Sequence, residues 1–587
     1  MGVSINTTKH LGVSAGTKII PPSTSSFTGM IMEWTVGAGQ GARLRCNLAG
    51  NNYDVDWGDG TPLEIGITAT DKTHTYAVGG TYEVKVSGTI VGFNMQLAGA
   101  SYQPMLTKFK QWGTDTQILQ LKEMFRGCTN LVYTATDAPD ISLLNASYGP
   151  YYMFSNCAAL TGTLDLSNWT NTDKFVGNCE HMFYLIPYLS GLNITGWDMS
   201  NITDFSYSFA RAGQSFGLTL IAPNLDFSSC TDLSYLFYRG YMINGSDISN
   251  WTLNPAAGSL NLSRVFSEYG VYTAGGNTGG SDVDLSTWNN TSAIEDLYYF
   301  GYNAAGLGTI DLTGWDISNV TSISALFYDS TYLTDIIGLS GLNTSSVTSA
   351  SDAFKNTRRL IFDNHNFGAN FGSTWNMAGA SFYQMFYRNG YSASVKGIFP
   401  NVTNWNMANV SSMVDMFRDA KYATGQVVTL NWAMVSVTSM QYMFYLSDGL
   451  DIIDLTGCTT SNTLTSMLGT FYNSDFSSIT FGANWDFSGV TTVNSLIRTT
   501  TSLTDFIIDS SADFGAVTDL VNICNSAGRM TITQYDNFLV RLAATNTTLG
   551  LTMTLTNCEY TCAVSAGATA HAALITLGWT ITDAGCV

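Results

Sequence analysis

The sequence predicts a mixed α/β solenoid: a β-rich N-terminal domain, about 14 stacked rows of one short strand and one short helix each, and a C-terminal cap. Three observations predict it. A phenylalanine anchor returns at Phe125, Phe154, Phe183, Phe209, Phe237, Phe266, Phe300, Phe327, Phe354, Phe386, Phe417, Phe444 and Phe471, with Ile497 in the equivalent place of a last row. The returns lie roughly 26 to 34 residues apart, a period of stacked repeats that is too short for a four-stranded propeller blade. Within the stretch from Gly308 to Leu333, Ile310 and Leu312 alternate with polar neighbours as in a strand, and Val320, Ile323, Leu326 and Phe327 fall at helical spacing. No such row can bury its own apolar face, so rows must stack, and stacking lets all 587 residues share cores without one oversized globule.

Residues 1–28, with Pro21, Pro22 and the run Ser23 to Ser26, read as an extended N-terminal arm. Residues 29–95 alternate as strands do, in MIMEWTV, ARLRCNL and GTYEVKV. Gly58-Asp59-Gly60 makes a tight turn, and Trp57 is placed beside Tyr82, Val84 and Val86. The order DVDWGDG at 54–60, HTY at 74–76 and GTYEVKV at 80–86 resembles a PKD-type domain, which implies an immunoglobulin-like β-sandwich of surface proteins. No cofactor is expected beyond, at most, a calcium ion at Asp59, and no Cys/His cluster has the spacing of a metal site.

Residues 96–508 carry the rows. MFRGCTNL at 124–131 and MFSNCAAL at 153–160 alternate in phase with WDxSNxT elements at Trp197 to Thr203 and Trp315 to Thr321. Over Phe109 to Ile507 this resembles the BspA-like leucine-rich-repeat surface proteins, and the resemblance implies a leucine-rich-repeat-like solenoid. Repeats of that kind also occur in bacteriophage virion proteins. Cys128 and Cys157 stand three residues after an anchor, where Ser330 and Thr357 stand in other rows, so the position reads as a slot for a small buried side chain. Residues 509–587 read as the cap, with a helix burying Tyr535, Phe538, Leu539 and Leu542, a second helix stopped at Gly578, and a last strand. Cys558, Cys562 and Cys586 offer one bridge.

Only 12% of residues are charged, so the exterior must be Ser, Thr, Asn, Gly and Tyr, as in extracellular and virion proteins. A net charge of −20 without a basic run excludes a nucleic-acid partner, since phosphate contacts need clustered Lys and Arg. The first twenty residues lack the pattern of a secretory signal, which points to a virion protein before an exported adhesin. Nothing approaches a membrane span.

The acidic pairs Asp56 with Asp59, Asp282 with Asp284 and Asp451 with Asp454 recur as turn formers do, and no nucleophile, phosphate-loop or zinc-protease motif accompanies them. The sequons at Asn193, Asn201, Asn319, Asn401 and Asn409 fall in the row motif, where Asn caps backbone groups. Candidate ligand-binding residues are the tyrosines directly after anchors: Tyr184, Tyr238, Tyr328, Tyr387, Tyr445 and Tyr472. In register they form a column that either grips a sugar or a protein or simply holds the rows together. Insertions just after anchors, at 238, 267 and 387, mark the same edge. The expected function is a non-enzymatic virion surface protein, such as a fibre, receptor-binding or capsid decoration protein. Its expected partners are a host-surface protein or glycan, other virion subunits through the arm, and further copies of itself. A secreted or wall-attached bacterial adhesin is the alternative, followed by a carbohydrate-active enzyme.

Overall fold

The computed structural model describes residues 27–45, 48–242, 246–254, 259–271, 280–360, 381–391, 396, 398–400, 402–403, 405–524, 530–562 and 564–587. Residues 1–26 of the expected arm lie outside them, as do parts of the three insertions.

The chain opens with strands β1 (Met30–Val36), β2 (Gly41–Arg45), β3 (Asn52–Asp56), β4 (Glu64–Ile67), β5 (Asp71–Thr75), β6 (Gly80–Thr89) and β7 (Leu106–Gln111). In β1 every second side chain is buried, Met30, Met32, Trp34 and Val36, because it lies centrally between antiparallel β6 and β7. β2 and β5 form a separate two-stranded sheet. β7 pairs in parallel with Val132–Tyr133, and Phe109 on β7 meets Phe125 edge-on at 5.0 Å. The first sheet therefore runs straight into the rows.

The rows are not units of strand and helix. They are the coils of a β-solenoid of about 17 turns, and this overturns the mixed α/β, leucine-rich-repeat-like expectation. Among the described residues α-helices occur at Met95–Ala98, Ile532–Thr545 and Ala566–Thr576. One side of each coil is a short parallel strand, so that Leu164, Leu192 and Leu220 stack in register, as do Ile453, Ile479 and Phe506. A second side is a column of single bridges from Ser322 through Ser349, Ser381, Ser412, Ser439 and Ser466 to Thr492 and Asp519.

The stretch expected to be helical is a run of tight turns. In the row of Phe125, Met124 N–H, Arg126 N–H and Cys128 N–H each bond the carbonyl three residues back, while Glu123, Phe125 and Gly127 donate to Tyr151, Met153 and Ser155 of the next coil. Alternate amides thus leave the row, whereas a helix would keep them. The device is a left-handed residue two positions before the anchor and another two positions after it, such as Asp415 (φ 58°) and Asp419 (φ 53°) around Phe417. Each interrupts the right-handed path before a helical turn can propagate. The described residues include 31 left-handed non-glycine residues, most of them at these two positions, and the regular bonding between coils offsets a cost of about 1 kcal/mol for each.

At Thr499 (φ 53°) the side chain is β-branched, and its hydroxyl bonds Asn473 at the surface, at 3.2 Å. Thr499→Gly is therefore expected to raise stability by roughly 0.5 to 1 kcal/mol, the left-handed penalty less the chain entropy of glycine. The midpoint of denaturant unfolding measures it.

Inside, anchor rings stack coil upon coil, 5.3 Å apart and 4° from parallel for Phe386 and Phe417, and 5.4 Å and 12° for Phe417 and Phe444. Phe300 departs from this. The left-handed residues there are Tyr299 and Asn303, so the anchor slot belongs to Gly301 and Phe300 stands one residue early. A Cβ on Gly301 would overlap the Phe327 ring. From its displaced position Phe300 meets Phe266 and Phe327 edge-on, at 78° and 87°.

The small-residue slot three positions after the anchor is buried in Cys128, Cys157, Ser330 and Thr357. It also has work that the sequence did not reveal: Thr357 donates to its own anchor carbonyl, Phe354, at 2.7 Å, and in other coils the side chain donates to the anchor carbonyl of the preceding coil. Cys157 reaches Phe125 at 3.1 Å, Ser447 reaches Phe417 at 2.6 Å, and Ser330 reaches Gly301, which confirms the slip.

After Asp519 the parallel ladder continues through Leu520–Cys524, Thr552–Leu555 and Thr580–Thr582. Here true helices replace the turns. Helix Ile532–Thr545 buries Tyr535, Phe538, Leu539 and Leu542, and a capping box of Thr531 with Gln534 starts it. Cys562 and Cys586 form a disulfide, and Cys558 is buried beside Cys524.

Candidate functional site

The outer side of the turn runs carries two neighbouring columns, one at the left-handed position two before the anchor and one directly after the anchor. In the first half of the solenoid the earlier column is aromatic. Tyr152 stacks on His181 at 4.4 Å, His181 on Tyr207 at 4.6 Å and Tyr207 on Tyr235 at 4.3 Å, all within 10° of parallel. The Arg126 guanidinium covers Tyr152 at 4.0 Å, and that of Arg264 lies 5.3 Å from Tyr235 and 5.0 Å from Tyr299.

At the displaced coil of Phe300 the ladder changes column. Tyr299 meets Tyr302, which follows the anchor slot, at 4.8 Å, and Tyr302 meets Tyr328 at 5.4 Å. Cations then alternate with rings. Lys355 sits 4.7 Å from Tyr328 and 5.6 Å from Tyr387, and Arg418 sits 5.8 Å from Tyr387 and 4.9 Å from Tyr445. Tyr445 stacks on Tyr472 at 4.7 Å, and Arg498 closes the series 5.2 Å from Tyr472. From Arg126 to Arg498 each coil touches the next through a ring or a cation.

Of the six tyrosines marked by sequence, Tyr328, Tyr387, Tyr445 and Tyr472 lie in this ladder. Tyr184 and Tyr238 lie beside it, Tyr184 meeting His181 at 5.0 Å and Tyr238 meeting Tyr235 at 5.3 Å. All six are half-buried. The cationic members and the column of Tyr152, His181, Tyr207 and Tyr235 were missed. An aromatic residue two before an anchor was visible in the sequence, but helical geometry would have placed it elsewhere.

The ladder has a definite chemistry. Faces of the rings are covered by one another and by guanidinium groups, so edges and hydroxyls meet solvent. Several of its cations are paired: Arg126 bonds Glu123, Lys355 reaches Asp352 at 3.0 Å, and Arg418 reaches Asp415 at 3.1 Å, while beside the ladder Arg239, over Tyr238, reaches Glu268 at 2.9 Å. The surface is thus rich in Tyr and Arg yet close to neutral.

Burial between two tyrosines, reinforced by the Arg126 charge, pushes the His181 imidazole down to about 4. The fold favours the neutral ring, while the unfolded chain takes up the proton from about pH 6.5 downward. Stability should therefore fall as pH drops below about 6.5 and stop falling on this account near pH 4. His181→Tyr, which repeats the neighbouring coils, should lose less on acidification than the parent, as thermal melts on both sides of this window would show.

Acidic residues are occupied in turns. Asp284 accepts from Ser286 N–H at 2.9 Å and Asp454 from Thr456 N–H at 2.9 Å, the geometry expected of capping carboxylates. Asp59, marked for calcium, receives the Thr61 hydroxyl at 2.6 Å and lies 2.8 Å from His74 Nε2, and these bonds hold its carboxyl at about 2. Asn201 and Asn319 donate across coils to Asp173 and Ser292, whereas Asn401 lies outside the described residues. Among the described residues no helix is long and apolar enough to cross a membrane.

One family, described as Mycoplasma protein of unknown function, DUF285, matches residues 94–215, 177–273, 280–367 and 380–510. No curated protein and no solved structure matches.

Proposed function

The chain belongs to the DUF285 family, and from that premise we propose that it is a non-enzymatic attachment protein of an outer surface, holding a partner along its solenoid. The observation that carries the reading is the unbroken ladder from Arg126 to Arg498, since Tyr and Arg are the residues enriched where proteins bind one another. A virion surface is the first setting, with a host-surface protein or glycan as partner and the N-terminal arm joining other virion subunits or further copies. The resemblance of its motifs to BspA-like surface repeats, and of residues 54–86 to a PKD-type domain, supports an exterior role. The family description, which names Mycoplasma, favours a bacterial cell surface as the second reading.

Immunogold labelling of intact particles and of intact cells, with binding of the purified chain to host cells, tests both. Label on particles together with cell binding supports the first, and label on bacterial cells supports the second. Absence from both surfaces would overturn the proposal. Binding should weaken when Tyr445 and Tyr472 are both replaced by serine.

A further inference from the structure

The strand ladder opens between two consecutive coils. Asp247 pairs back onto Ile221, and Ser281–Asp284 pairs forward onto Leu307–Asp311 as the edge strand of its sheet. The two coils are joined at their tryptophan corner, where Thr252 bridges Asn289, Trp251 stacks on Trp288 at 4.8 Å, and Trp288 Nε1 donates to the Ile248 carbonyl at 2.9 Å. Among the described residues no strand pairing joins them along this side. A cleft of about 260 Å³ lies there instead, lined by both strand edges.

Tyr269 holds it open. It stands three residues after Phe266, in the slot that takes Cys, Ser or Thr in other coils, and it is fully buried. Its hydroxyl accepts from Met242 N–H at 2.9 Å and lies 3.0 Å from the Met242 carbonyl and 3.2 Å from Ser281 Oγ. A side chain thus takes hydrogen bonds that neighbouring coils would exchange, and its length keeps them apart.

Backbone direction on the two walls follows from period two. Ser281 N–H and Leu285 N–H point forward to Gly306 and Asp311, so those of Asp282 and Asp284 turn back across the cleft. Asp247 bonds backward to Leu220 and Ala222, so Ile248 N–H turns forward into it. Two strand edges facing each other across a gap are the geometry that accepts an added strand. Ile248 and Val283 are buried on the inner side, while Asp282 and Asp284 are exposed on the outer side. An inserted segment would need apolar side chains inward and cations outward.

We propose that this cleft is a docking site for an extended peptide segment alternating apolar and basic residues, which completes the sheet between Ile248 and Val283. The proposal stands apart from the aromatic ladder. Calorimetric titration of the full chain with acetyl-KVKVK-amide and with acetyl-EVEVE-amide tests it. The basic peptide should bind and the acidic one should not. Tyr269→Ser restores the usual slot residue and lets the coils close, so it should weaken binding by about tenfold or more. Asp282→Lys, at an exposed position, should weaken the basic peptide and favour the acidic one, and it decides the matter if Tyr269→Ser does not fold. Absence of binding, equal binding of the two peptides, or affinity unchanged in both variants would overturn the proposal.

Discussion

Phe417→Ala is expected to cost about 3 to 5 kcal/mol and to divide the unfolding transition in two. The ring is fully buried and lies face to face with Phe386 and Phe444, so its removal deletes two stacking contacts and leaves a hole that coils locked by hydrogen bonds on every side cannot close. In a globule such a loss is spread over one cooperative core. Here each coil touches only its neighbours, so the damage falls on one joint, and rows on either side retain their own contacts. Calorimetry should show a broadened or double transition. A single shifted transition of unchanged width would mean that cooperativity extends over the whole array. Phe417→Leu, which keeps most of the volume, should cost less.

Replacing Cys562 and Cys586 by serine is expected to destabilise the C-terminal coils by about 3 kcal/mol, in the chain-entropy account for a loop closed over a separation of 24 residues. The bridge ties the segment before helix Ala566–Thr576 to the segment after strand Thr580–Thr582, so it closes the outermost coil on itself. Without it that helix can leave together with its strand. Hydrogen exchange should show new opening in residues 552–587 while amides around Phe209 or Phe417 keep their protection. Loss of protection throughout would refute a local role. Reductant should reproduce the effect in the parent and leave the serine variant unchanged.

Much of the stacking was legible in the sequence, because a buried ring that must lie above its predecessor returns at nearly constant intervals. Phe125 to Phe471 and Ile497 gave the coils, and the alternation of Ile310 with Leu312 gave the strand side. The helix was misread for a physical reason. Val320, Ile323, Leu326 and Phe327 have the spacing of one helical face, and a chain of tight turns closing every three residues buries the same positions. The residues that decide between the two are Ala325 and Asp329, in left-handed conformation at φ 53° and 62°. Nothing in an alanine announces that conformation, which is imposed by bonds to the next coil. The same blindness hid the column of Tyr152, His181, Tyr207 and Tyr235, whose left-handed backbone brings their rings together. The tyrosines after the anchors were legible as a column, but not the lysine and arginines that separate them, since Lys355, Arg418 and Arg498 occupy the tyrosine position of their own rows. At the end of the chain Tyr535, Phe538, Leu539 and Leu542 were read correctly, because there the helical spacing is accompanied by a capping box and a real helix forms.

The one-residue slip at Phe300 divides the coils into those that can be spliced freely and one that cannot. Removing residues 418–444 would join Phe417 to Tyr445, and every later residue would arrive at a position built for its equivalent, so a shortened molecule should assemble as before. The same excision counted from Phe300, of residues 301–327, would deliver Tyr328 one step too soon, into the anchor slot itself, and throw all that follows out of phase. Length in this architecture is therefore a matter of whole exchangeable modules, provided that they are measured from the backbone's own markers and not from the most conspicuous side chain.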